Sequence, residues 1–293
     1  MNVAKSGEEL LEICKENSIP LYEYAILSEM ESKDISREEV VKRMRTTLDV
    51  MKEGAKEGRE KEVYSLTGLI GGDAYKMQKY LEKGQALTGS TTVMAMAMAL
   101  SSSEVNASMG RIVACPTAGA CGILPAVLLT AGTQLGKTDE ELVNALFTAA
   151  AVGMIIGRNA TFSGAEGGCQ AECGSGAAMA SSAVVELMGG TPEMALDAAA
   201  IVFKNTLGLV CDPVAGLVEI PCAKRNASGA ISALCTVDLV MAGVKSHIPF
   251  DDAVAAMFQV GKALPESLRE TALGGVAVTK AGLKLREKVF GKA

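Results

Sequence analysis

The sequence C-D-P-V-A-G-L-V-E-I-P-C, residues 211–222, has a cysteine at each end and a proline beside each cysteine. Proline fixes its own φ angle and keeps the preceding residue out of the helical region, which predicts that Cys211 and Cys222 lie on rigid turns. A second segment, S-G-A-E-G-G-C-Q-A-E-C-G-S-G at residues 163–176, places two glycines before Cys169. A backbone without side chains can approach a bulky inorganic group closely. Three thiols on such turns indicate a metal or cluster site, and we expect the fold to be built around it.

The spacing of these cysteines narrows the kind of site. Cys169 and Cys211 are 42 residues apart, and Cys211 and Cys222 are 11 apart. Zinc ribbons and ferredoxin-type electron carriers use close C-x-x-C pairs, and this chain contains none. Widely spaced thiolates fit a cubane with three irons bound by protein and one iron open. An open iron is a Lewis acid that can hold a hydroxyl or a carboxylate.

Three long strings carry a family resemblance: C-P-T-A-G-A-C-G-I-L-P-A-V (115–127), F-S-G-A-E-G-G-C-Q-A-E-C-G-S-G-A-A-M-A (162–180) and C-D-P-V-A-G-L-V-E-I-P-C-A-K-R-N (211–226). With them the chain resembles the α chain of the iron–sulfur L-serine dehydratases, from about Thr88 to Lys280. The resemblance implies an oxygen-sensitive [4Fe–4S] lyase of serine catabolism and gluconeogenesis. It would convert L-serine to pyruvate and ammonium by β-elimination. The family's three cysteine ligands fall on Cys169, Cys211 and Cys222.

The resemblance also implies a partner. The family occurs as one long chain or as separate α and β chains, so we expect a separate β subunit and a hetero-oligomer. Removal of the Cα proton needs a base. The only histidine, His247, lies in a proline-containing loop without a companion polar motif, so we expect the β chain to supply the base. Serine, threonine and related small amino acids all remain compatible with the sequence.

Three cations close in sequence to the cysteine loops are candidates for holding the substrate carboxylate: Arg111, Lys224 and Arg225. A guanidinium group suits this task because its fork binds a carboxylate in bidentate fashion. An ion pair with an acidic neighbour is the alternative for Arg111. A plain surface pair, or neutralisation of the cluster's charge, is the alternative for the other two. For the acidic residues that flank the cysteine loop, Glu166 and Glu172, a solvated surface role is the simple interpretation. If the β chain does not supply the base, Lys224 and Glu166 are the candidates for it.

The remaining cysteines near the site have simpler interpretations. Cys173 follows Cys169 by four residues, which on a helix places both thiols on one face. We interpret Cys173 as a packed neighbour rather than a ligand, on the basis of the family pattern. Cys115 and Cys121 are interpreted as buried free thiols, although ligation by either is a possible alternative.

Composition indicates the fold class. Of the 293 residues 49% are hydrophobic but only 4% are aromatic, and small or flexible apolar residues suit close-packed helices. We predict an all-α fold, a large helical domain built around an iron–sulfur cluster site. Residues 1–80 are expected to form an amphipathic helical segment packed on a catalytic core of residues 81–293, as one structural domain. A net charge of −6 without a basic run argues against nucleic-acid binding.

Several local signals predict helices. Ser36 to Glu39 is a capping box, and apolar residues at helical spacing behind it predict a helix over 37–53. A second capping box, at 138–141, opens a helix that ends near residue 156. Further helices are expected over 230–243 and 266–273.

Apolar stretches raise the possibility of a membrane protein; they cover residues 84–103, 113–136 and 142–157. Each is interrupted by polar residues or prolines, or is shorter than the roughly 20 residues of a membrane span. We therefore expect buried helices and no membrane. The N-terminal Met1 to Lys5 leads into an amphipathic helix rather than an apolar leader. Together with eight cysteines, this indicates a reducing, cytoplasmic location.

Other classes of protein fit the sequence less well. A pyridoxal-phosphate dehydratase would catalyse the same reaction, but it needs a phosphate-binding glycine loop and usually alternates strands with helices. In this chain the glycine-rich loops hold cysteines. A non-enzymatic electron carrier would saturate every iron with protein ligands. A structural thiol–metal module is disfavoured by the long intervals between cysteines.

Overall fold

The computed structural model describes residues 3–291, leaving the first two and last two residues outside this range. Within it, thirteen α-helices and no β-strand form, which confirms the predicted all-α class. In chain order the helices are α1 (Gly7–Asn17), α2 (Leu21–Lys33), α3 (Arg37–Glu60), α4 (Asp73–Glu82), α5 (Ser90–Ala107), α6 (Ile123–Leu135), α7 (Asp139–Asn159), α8 (Gly164–Gly167), α9 (Ser175–Leu187), α10 (Pro192–Thr206), α11 (Cys222–Met241), α12 (Phe250–Ala263) and α13 (Lys280–Phe290). A π-helical turn, Gln170–Gly174, joins α8 to α9, and the short 3₁₀ helices are Ala118–Ala120, Val214–Gly216, Glu266–Leu268 and Gly275–Val278.

Side-chain caps start several of these helices. The Thr138 hydroxyl accepts from the Glu141 N–H at 3.3 Å, and the Glu141 carboxylate accepts from the Thr138 N–H at 2.8 Å. This is the predicted capping box of α7. At Ser36 only half of the predicted box forms: its hydroxyl accepts from the Glu39 N–H at 3.3 Å, while the Glu39 carboxylate binds a cation one turn later. The helix expected over 37–53 is confirmed, and α3 is longer than that prediction.

Near the C-terminus the helix predictions need correction. The helix expected over 266–273 is wrong, because only the 3₁₀ turn Glu266–Leu268 forms there. Glu270 and Ala272 adopt left-handed φ angles of 63° and 57°, which a right-handed helix cannot contain.

The helix expected over 230–243 begins earlier, because α11 starts at Cys222 with Pro221 at its N-cap. A proline is tolerated at a helix start, where its missing N–H is not needed. Cys222 is therefore the first residue of a helix rather than part of a turn. Cys211 does lie in an irregular segment, as predicted.

The most deeply buried helix is α9. Every residue from Ser175 to Val185 is buried, and α9 packs against α6, α7, α10 and α11. The small side chains of this stretch let the neighbouring helices approach closely, as the alanine-rich composition predicts. A second buried helix, α5, packs against α3, α4, α6 and α11.

The N-terminal helices share this core. Leu10, Tyr24 and Leu48, from α1, α2 and α3, are at most 1% exposed and belong to the same buried cluster as α9. The N-terminal part of the chain therefore packs on the rest, and the division at residue 80 stays a prediction.

Two helical stretches have the length and hydropathy of a membrane span, Ala118–Leu135 and Asp139–Asn159. Inside the protein 72% of the first window and 67% of the second are buried, as is common for core helices of soluble proteins.

The Cys169 segment is clamped between two parts of the fold. Gln170, fully buried, donates from Nε2 to the Met257 carbonyl of α12 at 2.9 Å, and its Oε1 accepts from the Gly208 N–H at 2.8 Å. Beside it, the backbones of Gly261 in α12 and Gly167 in α8 touch. A Cβ added to Gly261 would lie 2.6 Å from the Gly167 Cα. The position of the cysteine segment thus depends on α12.

This contact generates a prediction about stability. Gly261→Ala should lower the free energy of unfolding by about 1–3 kcal/mol, because two backbones must separate to admit the methyl group. The matched control is Gly54→Ala in α3, where the nearest atom to an added Cβ is 3.5 Å away. That variant should gain up to about 1 kcal/mol from helix propensity. Chemical denaturation of both variants tests this, and equal midpoints would contradict it.

Candidate active site

Four thiols gather where α8, the π-helical turn, the 211–222 segment and α11 meet. Cys169, Cys173 and Cys211 are each 3% exposed, and Cys222 is partly buried. Burial, together with the nearby charges of Cys169 and Glu172, raises the pKa of Cys222 to about 12. Burial is also the largest cause that raises the pKa of Cys211, and the charges of Cys169 and Glu172 come next. The three cysteines predicted as ligands thus share one electrostatic neighbourhood.

Cys169 and Cys173 are in direct contact across the π-helical turn, with their sulfurs 3.3 Å apart. The hydrogen bond between the two thiols lowers the pKa of Cys169 and outweighs the opposing effect of burial; the positive charge of Arg225 lowers it further. The same hydrogen bond and burial raise the pKa of Cys173. Cys169 is therefore the most readily ionised of these four thiols, and Cys173 is its hydrogen-bonded neighbour.

Arg225 is the cation that enters this neighbourhood. Its Nη2 lies 2.9 Å from Asp212 Oδ1, its Nη1 donates to the Val210 carbonyl at 2.8 Å, and its side chain is only 18% exposed. Arg225 stands three residues after Cys222 on α11, so both side chains lie on one helix face. A guanidinium group has five N–H donors, and these two contacts leave others to bind a ligand.

Glu172 is a second site residue, and its interpretation as solvated is wrong. The π-helical turn directs it inward, where Thr117 donates to its Oε1 at 2.8 Å. Burial raises the pKa of Glu172 to about 7, against the opposing effect of the Thr117 hydrogen bond. Nothing in the local sequence distinguished this residue from Glu166, which is exposed.

Glycines make room for the Glu172 carboxylate. A Cβ on Gly164 would lie 2.8 Å from Glu172 Oε2 and 3.0 Å from the Cys211 sulfur. A Cβ on Gly119 would lie 3.0 Å from Glu172 Oε1. The carboxylate and the sulfur therefore flank one glycine, and any side chain at these positions would crowd them.

The loop that carries Thr117 is fastened to α11 by Asn226, which the sequence did not single out. Asn226 Oδ1 accepts from the Gly122 N–H at 2.8 Å, and its Nδ2 donates to the Gly119 carbonyl at 2.7 Å. In the same loop Cys115 and Cys121 are buried, and burial raises the pKa of each thiol. Both are packed thiols, in line with their interpretation.

The other two carboxylate-binding candidates are not brought to the cysteines. Arg111 is 70% exposed and pairs with Glu53 of α3 at 2.8 Å, as in the alternative considered for it. Lys224 is 58% exposed and its Nζ lies 2.5 Å from Asp73 Oδ2, at the start of α4. The side chains of successive helical residues point about 100° apart, so Arg225 faces the cysteines while Lys224 points in another direction.

Lys224 belongs instead to a network around a buried acid. Glu104 of α5 is fully buried, and its Oε1 accepts from the Asp73 N–H at 2.6 Å and the Ala74 N–H at 3.2 Å. It thereby caps the N-terminus of α4. Burial raises the pKa of Glu104 to about 7, although the two backbone hydrogen bonds oppose the shift.

His247 lies away from the cysteines, which agrees with the prediction that it takes no part in the reaction. It is exposed and borders a cavity of about 690 Å³ between α1, α10 and α12. None of the four cysteines of the site lines that cavity.

The chemistry of the donor set is compatible with an iron–sulfur cluster. Within residues 3–291, no three His, Cys, Asp or Glu side chains are grouped closely enough to hold one metal ion. A cubane is larger than an ion, so its thiolates stand farther apart. Soft thiol donors, glycine backbone beside Cys211 and a largely buried guanidinium group suit a thiolate-bound, negatively charged cluster.

Comparison with known proteins relates the chain to serine dehydratases. A family model described as serine dehydratase alpha chain matches residues 16–277. The chain is 47% identical over 289 residues to the probable L-serine dehydratase, alpha chain, of Bacillus subtilis, covering 99% of this chain and 96% of the relative. It is 46% identical to the L-serine dehydratase, alpha chain, of Peptoniphilus asaccharolyticus, covering 96% of each. The L-serine dehydratase of Helicobacter pylori is 36% identical over 94% of this chain, but only 61% of that relative is covered.

The buried acid of α5 generates a prediction about pH. The pKa of Glu104 is higher in the folded chain than in the unfolded one, so the folded state keeps a proton that the unfolded state loses. The wild-type protein should therefore lose stability as the pH rises from about 4.5 to about 7, by an amount on the order of 2–3 kcal/mol from this group.

Glu104→Gln, which retains an acceptor for the Asp73 N–H, should flatten this dependence. The control is Glu287→Gln, at an exposed position of α13, which should leave the dependence unchanged. Unfolding midpoints measured across this pH range decide the matter, and parallel curves for wild type and Glu104→Gln would contradict the assignment.

Proposed function

Because the chain belongs to the serine dehydratase alpha chain family, we propose that it is the α subunit of a two-chain, [4Fe–4S]-dependent L-serine ammonia-lyase. The observation that supports this most is the grouping of buried thiols, one guanidinium and one carboxylate in a single neighbourhood. The relatives' names support L-serine as the substrate and a separate β chain as the partner. Eight free thiols support a reducing, cytoplasmic location.

Cys169, Cys211 and Cys222 would hold the cluster, with Cys173 hydrogen-bonded to Cys169. When bound, such a cluster supplies a Lewis acid for the leaving β-hydroxyl group. Arg225 offsets negative charge among the thiols, and its remaining donors make it the best-placed of the three cations for the substrate carboxylate.

The reaction also needs a base at the Cα proton. Breaking the C–H bond sends its electron pair into a new Cα=Cβ bond as the β-hydroxyl leaves. The aminoacrylate then tautomerises and hydrolyses to pyruvate and ammonium. We expected the β chain to supply this base, and Glu172 is a candidate within this chain. Its carboxylate flanks the same glycine as the Cys211 sulfur and is oriented by Thr117.

The function is tested by anaerobic reconstitution. The α chain alone should acquire the visible absorption of a cluster. Once its β chain is added, it should convert L-serine to pyruvate and should act on L-serine in preference to L-threonine. Single Ser substitutions at Cys169, Cys211 and Cys222 should abolish that absorption. Cys235→Ser, at an exposed position of α11, is the control and should retain it.

A full and stable cluster in any one of the three variants would remove that residue from the ligand set. An active, colourless wild-type protein would refute the proposed cofactor. Full activity of the α chain without its β chain would refute the two-chain part of the proposal.

Glu172→Gln tests the base within this chain. The amide keeps an acceptor for Thr117 but cannot take a proton, so kcat for L-serine should fall about 10²–10⁴-fold in the complex while cluster absorption is unchanged. Glu166→Gln, in the same segment but exposed, is the control and should keep its activity. Near-normal turnover by Glu172→Gln would return the search for the base to the β chain.

A further inference from the structure

The two carboxylates of the 211–222 segment each fasten an exposed turn of the protein. Glu219, only 5% exposed, accepts from the Thr67 hydroxyl at 2.8 Å on both of its oxygens. Asp212, 2% exposed, accepts from the Val276 N–H at 2.7 Å through Oδ2. Both acids are buried among protein groups, and each joins the cysteine segment to a turn that is distant in sequence.

The first turn, residues 64–70, exposes large apolar side chains. Leu66 is 76% exposed and Tyr64 is 54% exposed. The Leu66 N–H donates to the Ala107 carbonyl at the end of α5, two residues before Met109 in the chain. Met109 is 78% exposed and has a left-handed φ of 64°, a conformation that costs a non-glycine residue free energy.

The second turn, residues 268–278, has the same character. Its backbone pairs with Cys211, whose N–H donates to the Leu268 carbonyl at 2.9 Å and whose carbonyl accepts from the Glu270 N–H at 2.7 Å. Leu273 is 66% exposed, and Val276 and Val278 are 39% and 45% exposed. Two turns with exposed apolar side chains thus border one cysteine segment.

We call these exposed side chains the apolar rim: Tyr64, Leu66, Met109, Leu273, Val276 and Val278. Single exposed apolar residues are ordinary on a protein surface, whereas several around a candidate active site indicate an interaction surface. Each exposed apolar side chain also costs free energy that burial in an interface would recover.

The comparisons indicate what covers the rim. The Helicobacter pylori and Streptomyces coelicolor L-serine dehydratases match 94% of this chain, yet only 61% and 60% of their own lengths are covered. The relatives named alpha chain are covered over 96% of theirs. The longer relatives therefore carry in one chain a part that a partner would have to supply here.

We propose that the apolar rim is the surface on which the separate β chain docks. This inference rests on the proposed function, and it specifies the face that the partner covers. Docking there would bury both turns and close over the segment that joins Cys211 to Cys222. Through Asp212 and Glu219, the order of the cysteine segment would then depend on the partner.

Leu66→Glu and Leu273→Glu test the proposal, one on each turn. Each places a charge in the interface, so the Kd of the anaerobically reconstituted α chain for its β chain should rise at least about tenfold. Leu87→Glu is the matched control, because Leu87 is 96% exposed in the connection between α4 and α5. Its Kd should equal that of wild type, and all three variants should keep the cluster absorption. Isothermal titration calorimetry gives the Kd.

Wild-type affinity in both rim variants, or equal weakening by Leu87→Glu, would overturn the proposal. A change in the oligomeric state of the α chain alone would instead assign the rim to a second copy of this chain, and would also overturn it. Serine turnover measured in the same samples separates the two proposals. If the wild-type α chain turns over serine without binding the β chain, the proposed reaction is supported and the proposed docking surface is refuted. If the two chains bind through the apolar rim but show neither cluster absorption nor turnover, the docking surface is supported and the proposed reaction is refuted.

Discussion

The contact between Arg225 and Asp212, at 2.9 Å and largely buried, is the constraint on which the site depends. Arg225 belongs to α11 and Asp212 to the irregular segment after α10, so their pairing holds the Cys211 segment against the helix that begins with Cys222. Charges removed from water are tolerated only when paired and hydrogen-bonded. Both partners meet this condition, because Arg225 also binds the Val210 carbonyl and Asp212 also binds the Val276 N–H. The pairing also holds Arg225 near Cys169, where its positive charge lowers the pKa of that thiol.

Much of the fold class and part of the site could be predicted from sequence. Small apolar residues indicated packed helices, and the glycines and prolines around Cys169, Cys211 and Cys222 singled out the segments that converge. These signals depend on residues close together in sequence, so they can be interpreted without knowledge of tertiary contacts. The helix expected over 266–273 does not form because Glu270 and Ala272 are left-handed, and the Glu270 N–H pairs instead with the distant Cys211 carbonyl.

The side chains that complete the site depend on helix phase, which the sequence did not reveal. Arg225 and Lys224 are adjacent and alike in charge, and only the start of α11 at Cys222 decides which one faces the thiols. Glu172 and Glu166 flank the same cysteine, and only the π-helical turn directs one inward. Asn226 reads as an ordinary helical residue until its contacts with Gly119 and Gly122 are known. Each assignment follows from three-dimensional packing rather than from residue type.

The π-helical turn, Gln170–Gly174, constrains how this part of the chain can vary in length. A π turn holds about one residue more than the turn of an α-helix that it replaces, so it is equivalent to a single-residue insertion between Cys169 and the buried helix α9. Deleting one residue here would restore a regular helix and rotate everything before it by about 100° relative to α9. Since α9 is enclosed on several sides, the rotation would fall on Cys169 and its glycines. The number of residues between Cys169 and Ser175 therefore sets the orientation of Cys169 relative to α9.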